Sequence, residues 1–180
     1  MKILIIGLIV VLSSLTLYSA ISIASHQQTP YVLRLVIIPS EHNGTIEPRY
    51  FVETQNGLAS SANITLPANR LIELIVTSYY GMPTQPFEAK YYNVTGTVGD
   101  RINIMNMTGQ SISTSSLPKN SISHTFTTDW GLNIPIQNGF MEIAYFTIPH
   151  AGTYYWACMC PCDYYSMTTA GWMMGIITAY

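Results

Sequence analysis

The sequence is poor in charged residues. Lysine and arginine number 7 and aspartate and glutamate number 9, so charged residues make up only 9% of the 180 and the net charge at pH 7 is −2. Without a cluster of cations, the chain has no electrostatic footprint for nucleic acid or anionic lipid. Its polarity comes from Tyr, Ser, Thr and Asn instead. These features disfavour a nucleic-acid-binding protein and suit an exported β protein.

Helical periodicity is lacking after residue 24, and neither an internal repeat nor a Gly-rich phosphate loop is present. Short β-branched and aromatic runs recur between turn residues, which predicts an all-β domain. Seven to nine strands at this spacing favour a sandwich or a Greek-key barrel. The predicted strands cover residues 32–38, 50–54, 63–66, 71–78, 121–126, 140–148, 153–157 and 171–179.

The stretch 79–120 interrupts this rhythm with several Pro and Gly residues and a Ser/Thr-rich segment. We interpret it as a long insertion with two weak strands, over 90–97 and 101–107. Insertions of that length are uncommon unless they bind something. Beyond it, Asn138-Gly139 is a hairpin turn signal before the strand at 140–148.

The N-terminal segment carries no charge from Ile3 to Ala24 and is dominated by Leu, Ile and Val. A run of this length predicts a transmembrane anchor over residues 1–25. A cleaved secretory signal is the alternative. Either way, we expect residues 26–180 to form an extracytoplasmic domain at the cell membrane. Four N-glycosylation sequons agree with that location, and they begin at Asn43, Asn63, Asn93 and Asn106.

All three cysteines lie in the segment Cys158-Met-Cys160-Pro-Cys162. They cannot all pair with one another, and outside the cytoplasm an odd count leaves a thiol free, metal-bound or bridged to a partner. A disulfide between Cys158 and Cys162 is one interpretation, with Cys158–Cys160 and Cys160–Cys162 as alternatives. Thiolates also select soft metals such as copper. In that case another ligand comes from elsewhere, and His124 is the candidate because it ends a predicted strand one hairpin and one strand earlier.

The C-terminal third of the chain resembles a known family. The resembling motifs are His124-x-Phe126, Pro149-x-x-Gly152-x-Tyr154, Cys158-x-x-x-Cys162 and Gly171-Trp-Met173. In this order they resemble subunit II of haem-copper terminal oxidases, which contains a cupredoxin domain. The resemblance implies a cupredoxin-like Greek-key sandwich behind one N-terminal transmembrane helix. It also implies a dinuclear copper site, in which His124, Cys158 and Cys162 match ligands and the backbone carbonyl ligand falls on Cys160.

Two further ligands of that family are missing. The second histidine falls on Ser166 and the methionine on Thr169, and a hydroxyl is a poor copper ligand beside imidazole or thioether. Family members without these ligands resemble archaeal quinol oxidase subunits. The resemblance therefore implies a structural, docking subunit II of a quinol-oxidising terminal oxidase, itself without catalytic residues.

This interpretation implies that the chain has no cofactor of its own and that its partner, the catalytic subunit I, holds haem and copper. The partners are then the other membrane subunits and, through the complex, quinol. The alternatives are a vestigial metal site at His124, Cys158, Cys162 and Cys160, a membrane-tethered copper electron carrier, or a functional copper-bearing cytochrome c oxidase subunit II. A disulfide-stapled surface protein unrelated to respiration is a further alternative. An intense thiolate-to-copper absorption band distinguishes the copper carrier from the colourless subunit.

Overall fold

The computed structural model describes residues 28–106 and 108–180. The anchor or signal predicted over residues 1–25 lies outside this part of the chain. Within the described residues, no helix combines the length and the apolar character needed to cross a membrane.

Twelve strands are present in the described residues. They are β1 (Tyr31–His42), β2 (Thr45–Thr54), β3 (Gly57–Ser60), β4 (Asn63–Leu66), β5 (Ile72–Ser78), β6 (Ile102–Met105), β7 (Ser111–Thr114), β8 (His124–Thr128), β9 (Asn133–Ile136), β10 (Met141–Phe146), β11 (Gly152–Ala157) and β12 (Met174–Ala179). One short α-helix, α1 (Tyr164–Thr168), lies between β11 and β12, and 3₁₀ turns cover Ala89–Tyr92 and Val98–Asp100.

The strands form two sheets. The larger has the order β3-β2-β1-β5-β10-β6-β7 and the smaller the order β4-β12-β11-β8-β9. Neighbours are antiparallel except for β1 with β5 and β4 with β12, which are parallel. Because both sheets end in unpaired edge strands, the fold is a β-sandwich and not a closed barrel. The all-β prediction is confirmed in its main point, since the fold is a sandwich of two sheets with one short helix.

The core fills the space between the sheets. The central strand β5 alternates buried and half-buried residues along its whole length, as expected for a strand with one face on the core. The largest fully buried side chain is Trp156 of β11, whose ring centroid lies 5.1 Å from that of Tyr50 of β2 and 5.3 Å from that of Phe126 of β8. Its indole N–H donates to the Ser61 carbonyl, so the one polar atom of this residue is satisfied.

Three local predictions were wrong. Residues 90–97 do not form a strand, since a 3₁₀ turn occupies Ala89–Tyr92. The Asn138-Gly139 turn joins β9 of one sheet to β10 of the other and does not close a hairpin. The first strand was predicted to end at residue 38, but β1 continues to His42, and the hairpin turn to β2 is Asn43-Gly44. Both of these turn residues have positive φ, 49° and 80°, as a two-residue hairpin requires.

Candidate metal centre

The register of β8 and β11 brings the predicted histidine and the cysteine loop together. Ala157, the last residue of β11, pairs with Thr127 of the antiparallel strand β8, so the chain beyond Ala157 runs along the first residues of β8. The loop is fixed there by two bonds: Met159 N–H donates to Thr125 Oγ1 at 2.7 Å, and Thr125 N–H points to Cys158 Sγ at 3.4 Å. His124 begins β8 and therefore faces the cysteines.

Three donor atoms converge at this end of the sandwich. One ligand atom each from His124, Cys158 and Cys162 lies within 4.8 Å of the other two. Cys162 Sγ is 3.6 Å from His124 Nδ1 and 3.8 Å from Cys158 Sγ. His124 and Cys158 are buried and Cys162 is half-buried. All three cysteines are free thiols in the structure.

A backbone contact fixes the tautomer of His124. Its Nε2 lies 2.7 Å from the Tyr80 carbonyl oxygen, and because a carbonyl only accepts, Nε2 carries the proton. In the neutral ring with this hydrogen bond, Nδ1 carries no proton and its lone pair lies on the side of the thiols, the state that a metal ligand requires. Gly81 makes this contact possible, because a Cβ at that position would lie 2.3 Å from Nε2, and its φ of +131° also favours glycine.

Cys158 is the thiol most disposed to ionise. Burial alone would raise its pKa, but hydrogen bonds from Cys160 and Cys162 and the nearby His124 hold the pKa well below its ordinary value. The backbone N–H of Cys160 points to Cys158 Sγ at 3.5 Å, and the Cys160 carbonyl oxygen lies 3.9 Å from the same sulfur. The pKa of the Cys162 thiol is raised, first by its hydrogen bond to Cys158 and then by burial.

Cys160 places its backbone carbonyl near the donor cluster, whereas its thiol is not one of the three donors. Its thiol lies outside the three-donor cluster and is buried. Its pKa is raised by the hydrogen bond to Cys158 and by burial, so this thiol stays protonated. The family resemblance implies a ligand role for the Cys160 carbonyl, whose oxygen lies 3.9 Å from Cys158 Sγ, and this role stays a prediction.

The residues at the two positions of the missing ligands, Ser166 and Thr169, make hydrogen bonds that stabilise the fold. Ser166 is fully buried, and its hydroxyl and backbone N–H both donate to Glu47 Oε2, at 2.5 and 3.1 Å. Thr169 is half-buried and is the C-cap residue just after α1, and its carbonyl accepts from Trp172 N–H. Neither residue is in the donor cluster.

An open cavity of about 490 Å³ reaches the cluster from outside. Its wall is formed mainly by the segment after β5 and by the cysteine loop. The lining residues are Pro48, Tyr79, Tyr80, Gly81, Met82, Thr84, Ser123, His124, Asn138, Pro161, Cys162 and Asp163. Sequence reasoning missed Tyr80, Gly81 and Glu47, since each acts through a contact that only the folded chain creates.

The four sequon asparagines lie in different settings. Asn43, Asn63 and Asn93 are exposed, whereas Asn106 is half-buried. The Asn106 side-chain oxygen accepts from two backbone N–H groups and a hydroxyl of residues 108–110. Glycosylation at the four sites stays a prediction.

Comparisons with known proteins give matches in structure only. Neither a protein-family model nor a curated protein matches the sequence. Among solved structures, auracyanin B aligns with 86% of this chain and 92% of its own, at 14% identity and a TM-score of 0.41. Reduced rusticyanin aligns over 86% and 82%, at 14% identity and a TM-score of 0.38. A multicopper oxidase from Pseudomonas Thermotolerans aligns over 85% and 30%, at 11% identity and 0.42. Values this low establish neither a common function nor a shared metal site.

Proposed function

We propose that this chain is a copper electron-transfer protein of the cupredoxin type, in which His124, Cys158 and Cys162 hold one copper ion. The observation that carries the proposal is the convergence of these three donors within 4.8 Å, with the histidine tautomer already fixed for ligation by the Tyr80 carbonyl. Two thiols and an imidazole form a soft donor set that suits copper. From the sequence alone, a copper-binding protein is only an alternative, and we now propose it as the principal function.

The donors are well suited to hold a redox metal. When bound, copper supplies one-electron redox chemistry at this site. The protein keeps the donors in place through the β8–β11 register and through the N–H groups directed at Cys158 Sγ. Burial of His124 and Cys158 excludes water from one side, while the cavity leaves the Cys162 side open to an electron-transfer partner.

The site has donors for one copper ion. A second ion of the dinuclear type needs a histidine and a methionine at positions 166 and 169, and these are Ser166 and Thr169. Ser166 is committed to the buried Glu47 carboxylate, so it is not free to act as a ligand. The missing ligands therefore support a mononuclear site.

Titration of the reduced full chain with copper, followed by oxidation, tests this proposal. We expect one copper per chain and an intense thiolate-to-copper absorption band. His124→Ala should lower copper affinity by more than about a hundredfold, since losing a ligand exceeds the loss expected for an outer-shell partner. The matched control is His150→Ala, at an exposed turn residue, which should bind as the parent does. A colourless protein that retains no copper contradicts the proposal.

A second candidate is subunit II of a quinol-oxidising haem-copper terminal oxidase. The commitment of Ser166 to Glu47 favours it, because quinol oxidation requires no dinuclear copper entry point. In this role residues 1–25 anchor the chain in the cell membrane, and the outer domain caps the catalytic subunit, which holds haem and copper. Purification from the native membrane in mild detergent is the test. Haem that copurifies in fixed ratio supports the subunit, and a haem-free single chain contradicts it.

A further inference from the structure

Three buried polar side chains lie side by side on the smaller sheet, next to the cysteine loop. Thr125 and Thr127 are two residues apart on β8, so they share one face of the strand, and Thr127 pairs with Asn133 of β9. Phe126 points into the aromatic core from the opposite face of β8. The three polar side chains are only 0%, 8% and 4% exposed, although their face of the strand is turned away from that core. Another part of the chain must therefore cover them.

The cover is the segment 84–95, which belongs to the stretch predicted as an insertion. Its backbone is bridged to β9, since Thr95 N–H donates to Asn133 O at 3.1 Å and Asn133 N–H donates to Thr95 O at 2.9 Å. The side-chain amide of Asn133 donates to the carbonyls of Tyr91 and Asn93, at 3.2 and 2.6 Å. These four bonds attach the segment to the outer face of the smaller sheet.

The hydrogen bonds among the three side chains can run in one direction only. A carbonyl only accepts, so Nδ2 of Asn133 faces the two carbonyls and its Oδ1 faces Thr127. Thr127 O–H donates to this Oδ1 at 2.6 Å, which uses its single proton. Thr125 O–H must then donate to Thr127 Oγ1 at 2.9 Å, and Thr125 Oγ1 accepts from Met159 N–H at 2.7 Å. One continuous chain of hydrogen bonds thus leads from the segment 84–95 to Met159.

Met159 is held by both of its backbone groups. It lies between Cys158 and Cys160 in the cysteine loop. Its N–H is bound through the chain of hydrogen bonds, and its carbonyl accepts at 2.9 Å from the N–H of Phe87, a residue of the segment 84–95. Because both contacts lead back to the same segment, a shift of that segment would move the loop and the Cys158 sulfur with it.

We propose that Thr127 and Asn133 are positioning residues of the metal site, through which the segment 84–95 holds the cysteine loop in the arrangement that binds copper. This inference rests on the proposed function. Neither residue is in the donor cluster, and each acts through the next hydrogen bond of the chain. The stretch predicted as an insertion thereby gains a part in metal binding that the family resemblance does not imply.

Hydrogen exchange of the Met159 amide, measured by NMR on the reduced, metal-free full chain in mild detergent, tests the chain of hydrogen bonds. Thr127→Val keeps the shape of the side chain and removes its hydroxyl. Met159 N–H should then exchange about five- to tenfold faster, the factor expected from losing one buried hydrogen bond. Thr127→Ser keeps the hydroxyl and should exchange as the parent does. The matched control is Thr128→Val, since that buried hydroxyl accepts from Leu132 N–H outside the chain of hydrogen bonds.

The rate of copper release connects these bonds to the metal. The chain loaded with copper(I) is mixed with an excess of a colorimetric chelator, and release is followed over time. Thr127→Val should release copper(I) about tenfold faster than the parent, as expected for the loss of an outer-shell contact, and Thr127→Ser and Thr128→Val should match the parent. Asn133→Asp should also release it faster, because a carboxyl group can donate to at most one of the two carbonyls. This second variant decides the test if Thr127→Val does not fold.

The two measurements separate this inference from the proposed function. If the parent binds copper(I) but Thr127→Val shows neither faster exchange nor faster release, the inference is overturned and the proposed function stands. The inference is also overturned if Thr128→Val changes both rates as much as Thr127→Val does. If the parent binds no copper(I), the proposed function is overturned, and the part of the two residues in metal binding with it.

Discussion

Single residues around His124 determine whether the site can bind a metal. The imidazole is useful as a ligand only while Nε2 donates to the Tyr80 carbonyl, because the opposite tautomer would put a proton between Nδ1 and the thiols. That bond depends on Gly81, the residue that touches the ring. The metal site is thus sensitive to a residue that is not itself a ligand.

Gly81→Ala tests this dependence. The added Cβ would lie 2.3 Å from His124 Nε2, so the ring must shift and the bond to Tyr80 must break. We expect a stability loss of about 1–3 kcal/mol and a copper affinity at least about tenfold weaker. The control is Gly99→Ala, which has a positive φ of 69° but no atom within 4 Å of the added Cβ. Gly99→Ala should lower the free energy of unfolding by about 1–2 kcal/mol and leave copper affinity unchanged.

Glu142 predicts a dependence of stability on pH. The residue is buried, and burial raises its pKa to about 8, although the bond from Gln137 N–H at 2.8 Å acts to lower it. Its Oε2 has no hydrogen-bond partner among the described residues. Because the folded pKa lies above the ordinary value of 4.5, the contribution of the neutral Glu142 carboxyl to the free energy of unfolding is fully present below pH 4.5. That free energy falls as the pH rises toward 8, by up to about 1.4 kcal/mol per pH unit.

Glu142→Gln should remove this dependence. Chemical denaturation at several pH values should show a flatter stability profile between pH 5 and pH 8 in the variant than in the parent, because the amide does not titrate. Glu73→Gln is a suitable control, since that carboxylate is only half-buried and accepts from the Tyr145 hydroxyl. Parallel profiles for parent and Glu142→Gln would contradict the assignment of a neutral, buried carboxyl.

At the scale of elements, the hairpin of β1 and β2 supports the cysteine loop through contacts with α1, the helix that follows the loop. It extends beyond the last β1–β5 pair, Ile37 with Ser78, and reaches α1. There Glu47 accepts from Ser166, and the His42 ring stacks on Tyr165 at 3.4 Å between centroids. The helix is only five residues long, too short to be stable alone. These contacts therefore hold the chain between Cys162 and β12.

Ser166→His examines whether the missing ligand can be restored. Ser166 has no exposed surface, so an imidazole there overpacks the contact with Glu47 and should destabilise the fold by about 1–3 kcal/mol. Copper stoichiometry, measured by metal analysis, should stay at one per chain, even when combined with Thr169→Met. Thr169→Met alone, at a half-buried position, should change stability little. A second bound copper in the double variant would contradict this account.

Most strands with a buried face were predictable from sequence. The strand 63–66 was predicted with its observed bounds, and 71–78 to within one residue, because apolar alternation there follows burial. The strands that escaped prediction lie at or near sheet edges. Exposed β7 is rich in Ser and Thr, and β9 contains Pro135, which pairs on one side only. Their formation depends on neighbours and not on their own pattern.

The three donor residues of the site were predictable from the sequence, whereas the residues that hold the donors in place were not. His124, Cys158 and Cys162 carry recognisable side-chain chemistry at motif spacing, and the structure brings them together. Tyr80 acts through a carbonyl, Gly81 through a missing Cβ, and Glu47 through a partner 119 residues away. None of these roles has a local signature in the sequence.

At the scale of the whole molecule, the sandwich is a rigid support for one end loop. The cysteine loop is attached to the smaller sheet through β11 and β12, and Cys158 N–H donates to Met173 O at 2.8 Å. The aromatic core of Tyr50, Phe126 and Trp156 lies behind it. Because the donors are assembled only in the folded chain, metal binding and folding should be coupled.

Copper(I) should therefore stabilise the folded state. At free copper about one hundred times the Kd, linkage predicts up to about 2.7 kcal/mol, which raises the Tm by roughly 5–10 °C for a domain of this size. Thermal unfolding with and without the metal measures it. Cys158→Ser should abolish the increase, and Cys160→Ser, which changes a thiol outside the cluster, should retain it. An equal increase in Cys158→Ser would indicate that copper stabilises the chain elsewhere.

The claim that one copper ion is held between His124, Cys158 and Cys162 is tested most directly by electron paramagnetic resonance of the oxidised, copper-loaded full chain. The account predicts the hyperfine pattern of a single copper nucleus coupled to a thiolate, with one copper per chain by metal analysis. The pattern of an electron shared between two copper nuclei, or a chain that retains no copper, would contradict it.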